Sequence, residues 1–262
     1  LISGDGSEVV FEQMLSEDPT KDAFKGQVGI EHLRLKPLAG SVRDPQRFEL
    51  TDYESNERFE FSRAPDGKTF ELATVRSLGS GTKEMSYNWE ARAGKRRLVR
   101  LIAPAAPTIV SCDVPAGSNP PAGCRWLDLS YDNLARLTEV RFSAYETSGL
   151  VATRTMVKYG YDAVTGRLSS VTDEAGLVTS YAYEKVAAAD GRPEATLLKS
   201  IDPPGADRPW TLAYQPISTD KEFGRFANVV RDALPSGVAT TRLVYEIPRS
   251  DQAPATGPWD MR

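Results

Sequence analysis

Short runs in which apolar and polar residues alternate recur along almost the whole chain. In the segment MSYNWE, for example, Met85, Tyr87 and Trp89 are separated by single polar residues. The same alternation occurs in ERFEFS (57–62), VKYGYD (157–162), LVTSYAYE (177–184) and TTRLVYEI (240–247). A period of two places successive side chains on opposite faces of a β-strand, so these runs predict half-buried strands. Runs with helical spacing are scarce, and the sequence therefore predicts an all-β fold.

Turn-forming residues separate the predicted strands. Combinations of Pro, Gly and Asp occur in APDGK (64–68), DAVTG (162–166), DEAG (173–176), DPPG (202–205) and LPSG (234–237). Such combinations favour tight reversals of the chain, so we expect consecutive antiparallel strands joined as hairpins. Two segments have some helical character. We expect one helical turn within 16–24, and we interpret 132–140 as a turn followed by a strand.

A repeat is superimposed on these strands. Similar segments carry an aliphatic anchor residue at intervals of about 30 residues, a spacing typical of stacked repeat units. The anchors are Leu101, Val140, Val171, Ile201 and Val230. A unit of this length is one hairpin or two and cannot bury its apolar face alone, so it needs its neighbours. The predicted organisation is an irregular N-terminal β segment at 1–45, a repeat region at 46–250 and a proline-rich tail at 251–262.

The charge balance limits the classes of partner. The chain has 36 acidic and 32 basic residues and a formal net charge of −4. Nucleic acid and anionic membranes call for a basic excess, so neither is expected as the main partner. No apolar run approaches the roughly 20 residues that span a bilayer, so no membrane insertion is expected. The first residues lack the pattern of a signal peptide, and the start at Leu1 favours excision from a longer protein.

The two cysteines, Cys112 and Cys124, flank a loop that is rich in Pro, Gly, Ser and Asn. A disulfide across this loop would stabilise the fold by about 3 kcal/mol, because it restricts the unfolded chain. The alternatives are two unpaired thiols or a metal pair, although a Cys/His metal site normally needs four ligands and the chain has one histidine. The disulfide is the favoured interpretation, and it implies secretion or display at a cell surface.

No motif predicts a catalytic residue, a cofactor or a metal site. His32, the single histidine, lies in a charged segment without a nucleophile motif and is interpreted as a surface or partly buried residue. Paired carboxylates for glycoside hydrolysis are formed in space, so a polysaccharide-acting enzyme stays open as the weakest alternative. The turn residues Asp66, Asp162, Asp173 and Asp202 are candidates for calcium binding, but aspartate is also an ordinary turn former.

The aromatic residues allow two interpretations. Trp89, Trp126, Trp210 and Trp259, with the ten tyrosines, could form a platform on which sugars stack. The favoured interpretation is that they pack between strands, as most aromatic residues in sheets do. A large exposed aromatic patch would favour the platform instead.

Residues 157–184 resemble the consensus of the tyrosine–aspartate (YD, or Rhs) repeat family. The matching positions are Tyr161, Asp162, Gly166, Arg167, Leu168, Val171, Asp173 and Gly176. A second, degenerate copy at 130–140 contains Tyr131 and Asp132 but carries Ala135 where glycine is usual. The other repeats match more loosely.

The resemblance implies an open, curved YD-repeat sheet that spirals as part of a hollow shell. Shells of this family enclose a C-terminal toxin or, in animal teneurins, carry adhesion surfaces. We therefore expect a non-enzymatic structural segment of a bacterial secreted or surface protein, whose partner is the remainder of the same polypeptide, including an encapsulated C-terminal domain. The alternative is an adhesion module that binds cell-surface glycan or protein. The family's self-cleavage is not expected, because IDPPGAD (201–207) has Ala206 where the cleavage motif has leucine.

Overall fold

The structure is a computed structural model that describes residues 8–79, 84–104, 112, 121–145, 151–186, 195–205, 209–216, 226–234 and 237–243. Side chains are described as far as Leu212, except those of Val186 and Ala195. Within these ranges there is no α-helix, and β-strands joined by turns account for the regular structure apart from one 3-10 helix, Pro19–Lys21. The prediction of an all-β fold is confirmed. The helical turn expected within 16–24 is this 3-10 helix, which the Asp18 carboxylate caps.

The strands are numbered in chain order and fall into two compact units, 1–158 and 159–262. The first unit contains β1 (Phe11–Met14), β2 (Ala23–Gly26), β3 (Leu33–Gly40), β4 (Pro45–Asp52), β5 (Glu57–Arg63), β6 (Phe70–Ser77), β7 (Met85–Arg92), β8 (Lys95–Ile102), β9 (Arg125–Tyr131), β10 (Leu137–Tyr145) and most of β11 (Val151–Tyr161). The second contains β12 (Leu168–Asp173), β13 (Val178–Val186), β14 (Ala195–Asp202), β15 (Trp210–Pro216), β16 (Phe226–Leu234) and β17 (Gly237–Leu243).

Apart from β2 and β3, strands that are consecutive within one unit pair with each other. In the first unit, β1 and β2 form a separate antiparallel hairpin, and β3 to β11 form a sheet of successive antiparallel pairs. In the second unit, β12 to β17 are paired in the same successive way. Consecutive pairing confirms the predicted antiparallel hairpins. The segment 132–140 is a turn followed by the start of β10, as interpreted from the sequence.

The repeat corresponds to two strands. The five anchor residues lie in every second strand, with Leu101 in β8, Val140 in β10, Val171 in β12, Ile201 in β14 and Val230 in β16. One repeat is therefore one strand and its return, and the paired neighbours supply the hydrogen bonds that a lone hairpin would leave open to water.

The sheet of the first unit has two chemically different faces. Phe48 pairs with Phe61, and each of these residues projects to what we call the aromatic face. The neighbouring pair, Glu49 and Glu60, projects to the opposite side, the charged face. Strict alternation on paired strands keeps the two sets apart, because adjacent residues point to opposite sides of a sheet.

A cluster of buried apolar residues in the first unit contains the disulfide. Cys112 and Cys124 are bonded, with 5.7 Å between their Cα atoms, which confirms the predicted pairing. Both cysteines are buried together with Ile102 and Trp126. Burial of the Trp126 ring contributes more to stability here than burial of the other side chains, because it removes the largest apolar area from water.

A polar network extends this cluster across two strands. Trp126 Nε1 donates to Asp128 Oδ2 at 2.9 Å, and Arg100 Nε donates to Asp128 Oδ1 at 2.7 Å. The guanidinium of Arg100, which is 2% exposed, also lies 5.5 Å from the centre of the Trp126 ring. A buried cation requires this kind of partner, because an uncompensated charge away from water is costly.

Some details differ from the sequence interpretation. Strand β13 begins at Val178, so Leu177 lies in the preceding turn and is half exposed instead of sharing a strand face with Tyr181 and Tyr183. Residue 46, where the sequence suggests that the repeat region begins, lies within β4, which pairs with β3. The division into 1–45, 46–250 and 251–262 stays a prediction. The tail at 251–262 and the residues Tyr245 and Ile247 lie outside the described residues.

Candidate functional site

A cleft lies between the β1–β2 hairpin and the aromatic face of the first unit. Its volume is about 830 Å³. Its apolar lining consists of six aromatic residues and two leucines: Phe11, Phe24, Phe48, Phe61, Phe70, Trp89, Leu35 and Leu72. Its polar lining consists of Gln13, Thr69, Glu71 and Arg96. We refer to it as the aromatic cleft.

Strand register brings the aromatic rings together. Phe48 on β4 is paired with Phe61 on β5, and Phe61 with Leu72 on β6. The Phe48 and Phe70 ring centres are 4.4 Å apart, and Phe24 from β2 meets Phe48 edge-on at 5.3 Å. Edge-on and tilted contacts are the favoured geometries of aromatic pairs, so the rings form a stable wall for the cleft.

Polar contacts hold the β1–β2 hairpin over the sheet. Arg43, in the turn between β3 and β4, donates from Nε to Asp22 Oδ2 at 2.7 Å and from a terminal nitrogen to the Ser16 carbonyl at 2.6 Å. Gln13 Nε2 donates to the Val42 carbonyl at 2.8 Å. The hydrogen bond from Arg43 holds the pKa of Asp22 below its ordinary value, so this carboxylate stays charged and the contact persists at neutral pH.

Two of the residues that line the aromatic cleft, Glu71 and Arg96, form an ion pair. Arg96 donates to both oxygens of Glu71, from Nε at 2.6 Å and from a terminal nitrogen at 2.8 Å. Arg96 also donates to the Trp89 carbonyl, and Trp89 Nε1 donates to the Leu72 carbonyl at 2.7 Å. The paired Glu71 raises the pKa of Arg96. A two-pronged Arg–carboxylate contact fixes both side chains, so the polar end of the cleft is preorganised.

The charged face brings two carboxylates together, as glycoside hydrolysis would require. Glu49 is 2% exposed and lies 2.8 Å from the Lys36 ammonium and 3.3 Å from the Arg58 guanidinium. Arg76 lies 3.4 Å from Glu60 and 3.7 Å from Glu49. Each carboxylate is thus matched by cations from neighbouring strands. This arrangement is an ion-pair ladder that holds β3 to β6 together.

The degenerate YD copy forms a turn closed by an aspartate. Asp132 Oδ1 accepts from the backbone nitrogens of Leu134 and Arg136, each at 2.9 Å, and Oδ2 accepts from Arg136 Nε at 2.7 Å. Ala135 adopts φ +60°. The backbone hydrogen bond from Arg136 is the largest of the contacts that hold the pKa of Asp132 below its ordinary value. The carboxylate therefore accepts the hydrogen bonds that the turn amides would otherwise donate to water.

The better-matched YD copy closes its turn in the same way. Asp162 Oδ1 accepts from the backbone nitrogens of Val164 at 3.1 Å and Thr165 at 2.6 Å, and from the Thr165 hydroxyl at 2.7 Å. Gly166 adopts φ +70° and donates from its backbone nitrogen to the Asp162 carbonyl. The backbone hydrogen bond from Thr165 is the main cause that lowers the pKa of Asp162.

The same chemistry recurs at three further turns, which with the two above we call the Asp-closed turns. The carboxylates of Asp52, Asp66 and Asp173 each accept at least one backbone amide from their own turn. After Asp173, Gly176 adopts φ +80°. These aspartates thus act as turn formers. Within the described ranges, no three His, Cys, Asp or Glu residues are grouped as a metal site would require.

The remaining motif residues lie in or beside β12. Tyr161 is the last residue of β11 and is partly buried, and the Arg167 guanidinium lies 5.4 Å from the centre of the Tyr183 ring. Leu168 opens β12, and Val171 pairs with Thr179. The positions of Tyr161 in a strand and of the two motif glycines in turns are as predicted. Packing of Tyr161 against an adjoining repeat stays a prediction.

The other sequence candidates are dispersed. His32 Nε2 lies 3.9 Å from Glu54, on the surface beside a turn. Trp89 lines the aromatic cleft, Trp126 is buried at the disulfide, Trp210 is half exposed and Trp259 lies outside the described residues. Within the first unit, Trp89 and Trp126 therefore belong to two different environments, the cleft and the disulfide cluster. Alternation predicted the aromatic strands, but the residues that complete the cleft, Phe11 and Phe24, come from the segment interpreted as irregular.

Comparison with models of known protein families finds none that matches this chain, and comparison with curated proteins finds no match. In the part of the chain that the structure describes, no helix has the length and apolar character needed to cross a membrane.

Proposed function

We propose that this chain is a non-enzymatic structural segment of a large secreted or cell-surface protein of the YD-repeat type, and that its hairpins build part of a β wall for encapsulation or display. One observation carries the proposal: both YD copies form hairpin turns in which the motif aspartate accepts turn amides and a residue near the end of the turn has positive φ. The motif thus has a structural purpose that needs no ligand.

The sheet organisation supports the same role. Anchor residues recur in every second strand. Successive strands pair from β3 to β11 in the first unit and from β12 to β17 in the second. Such an arrangement extends by adding further hairpins, because each new unit needs contacts only with its neighbour. The buried disulfide supports export, since disulfides persist in oxidising compartments.

Protease protection in the full-length parent protein tests encapsulation. The polypeptide that follows the repeats should resist digestion in the intact parent and should be cut rapidly when it is expressed alone. Cleavage at the same rate in both samples would contradict enclosure of that polypeptide by the wall.

A second candidate function is an adhesion module that binds cell-surface glycan or protein. The exposed ring of Trp210 favours it, because an exposed tryptophan offers a flat face on which a sugar or a partner side chain can pack. Glycan-array binding that is lost in Trp210→Ala would support this candidate, and an array without signal would count against glycan recognition.

A further inference from the structure

The aromatic cleft has the size of a small-molecule site, which the structural role proposed above does not use. Its volume of about 830 Å³ lies within the range of roughly 300–1,000 Å³ that is typical of ligand pockets. Phe24, Phe48 and Phe70 supply tilted and edge-on rings to its wall. Apolar rings on several sides favour a ligand with an apolar body, because binding removes the apolar surfaces of both the ligand and the cleft from water.

The roof of the cleft is fixed by contacts that need no ligand. The side chain of Asp22 is 2% exposed, and its carboxylate accepts hydrogen bonds from Arg43 and from the Ser16 backbone nitrogen. These contacts hold the loop of the β1–β2 hairpin against the sheet. Gln13 adds a hydrogen bond to the Val42 carbonyl. A cavity that exists before binding requires little ordering when a ligand enters, and this favours affinity.

The polar groups of the cleft specify a ligand with little polarity. Gln13 Nε2 uses one of its two hydrogens on the Val42 carbonyl, and the Thr69 hydroxyl donates its hydrogen to Asp66 at 2.8 Å, so few polar positions of the lining remain for a ligand. The many hydroxyls of a sugar would therefore lose water without gaining enough partners. Glu71 has one acceptor position left on each oxygen beyond the bonds from Arg96, because a carboxylate oxygen can accept two hydrogen bonds.

The charge at this end is balanced, and this bears on the charge of the ligand. Glu71 and Arg96 form a pair of opposite charges with both carboxylate oxygens engaged. A ligand that brought its own charge into the cleft would meet no uncompensated opposite charge, and it would lose hydration. A neutral group that donates one hydrogen bond to Glu71 needs no opposite charge in the cleft and loses less hydration than a charged group does.

We propose that the aromatic cleft binds an uncharged, ring-bearing apolar molecule with a single hydrogen-bond donor, a hydroxyl or an N–H, which is directed to the Glu71 carboxylate. The rings of the cleft enclose the apolar body, and the Glu71–Arg96 pair orients the polar end. This inference is independent of the wall function, because no residue that lines the cleft belongs to either segment that resembles the YD repeat.

Two fluorescent probes with the same ring system test this proposal on the whole chain. N-phenyl-1-naphthylamine is uncharged and has one N–H donor, whereas 1-anilinonaphthalene-8-sulfonate adds a sulfonate. The neutral probe should bind saturably with a stoichiometry of one, and the anionic probe should bind at least about tenfold more weakly, which corresponds to a difference of about 1.4 kcal/mol.

Variants locate the bound probe. Phe70→Ala, in the wall, and Phe11→Ala, in the roof, should each weaken binding of the neutral probe about tenfold or more. Phe11 lies on the separate hairpin, so its variant leaves the pairing of β3 to β11 in place even where Phe70→Ala fails to fold. Glu71→Gln should weaken binding severalfold. Tyr53→Ala is the matched control, because Tyr53 is an exposed aromatic residue of the same unit outside the cleft.

Four results would overturn the proposal. The first is absence of saturable binding by the neutral probe. The second is equal weakening in Phe11→Ala and Tyr53→Ala, which would show non-specific adsorption. The third is binding of the anionic probe as tight as that of the neutral one. The fourth is displacement of the neutral probe by oligosaccharides or peptides in preference to uncharged phenols. Thermal unfolding of each variant, compared with the unchanged chain, verifies that it is folded during the measurement.

Discussion

The two segments that resemble the YD repeat, 130–140 and 157–184, form similar turns by different means. At the β11–β12 turn, exposed Gly166 supplies the positive φ that an L-residue rarely adopts. At the β9–β10 turn, Ala135 holds φ +60° although its Cβ is unfavourable there, and it is 3% exposed. The common element is the aspartate that accepts the turn amides. Glycine is therefore one way to satisfy the motif and is not its essential residue.

Contacts from neighbouring strands explain how alanine is tolerated. Arg97 on β8 donates from Nε to the Ala135 carbonyl at 3.0 Å, and Arg136 forms an ion pair with Asp132 at 2.7 Å. The hydroxyl of Tyr131 donates to the Leu98 carbonyl at 2.7 Å. The first copy is thus tied to the adjoining hairpin by side chains, and these contacts offset the backbone strain. The turn of the second copy relies on Asp162, Thr165 and glycine.

The motif tyrosines should show the largest effect. Tyr131→Ala should lower the free energy of unfolding by about 3–4 kcal/mol, because it removes a partly buried ring and its hydrogen bond to Leu98. Tyr161→Ala should cost about 2–3 kcal/mol, because the Tyr161 ring is also partly buried. Urea denaturation followed by circular dichroism measures both. A change within about 0.5 kcal/mol for Tyr161→Ala, the range expected of the exposed-site control Tyr53→Ala, would make Tyr161 a surface residue.

A β-branched residue at the second motif glycine should have the next largest effect. No atom lies within 4 Å of a Cβ built at Gly176, so Gly176→Val probes the backbone conformation alone. At φ +80°, valine should cost about 1–2 kcal/mol. Gly79→Val is the matched control, because Gly79 also has open space but lacks positive φ. Equal stability of the two variants would contradict a strained turn at Gly176.

Exchange of the two turn residues should give the smallest effect. Gly166→Ala should lower the free energy of unfolding by about 1 kcal/mol, because alanine is unfavourable at positive φ. This loss is partly offset because alanine restricts the unfolded chain more than glycine does. Ala135→Gly should change the free energy of unfolding by less than about 0.5 kcal/mol, because relief of strain is offset by loss of a buried methyl group and by a more flexible unfolded chain. Marked stabilisation by Ala135→Gly would show that neighbouring contacts do not compensate the first copy.

Local features of this fold were predictable from the sequence, whereas contacts between distant segments were not. Alternation and turn residues predicted the strands and the consecutive pairing, because both depend on neighbours in the chain. The disulfide between Cys112 and Cys124 was also predictable, since the two cysteines flank one loop. Each of these features depends on residues that are close in sequence.

The aromatic cleft shows where prediction from the sequence stops. It depends on docking of Phe24 onto Phe48 and on pairing of Glu71 with Arg96, contacts that span 24 and 25 residues. A period of two gives the face of each side chain but not which hairpin covers that face. The available signal was Phe11 and Phe24 in two short strands before the sheet, but the high charge of the surrounding segment obscured it.

Site-specific titration of the Asp132 and Asp162 carboxyls by carbon-detected NMR tests most directly that aspartate closes the YD turn in both copies. Hydrogen bonds that a carboxylate accepts favour its charged form, so both pKa values should lie below the ordinary 3.8. The folded pKa is then lower than the unfolded one, so the stabilisation is complete above the unfolded pKa and is lost as the pH falls through the folded pKa. Asp132→Asn and Asp162→Asn assign the signals. Both carboxyls titrating below 3.8 is the predicted result, and either one titrating at or above that value would contradict a shared aspartate-closed turn.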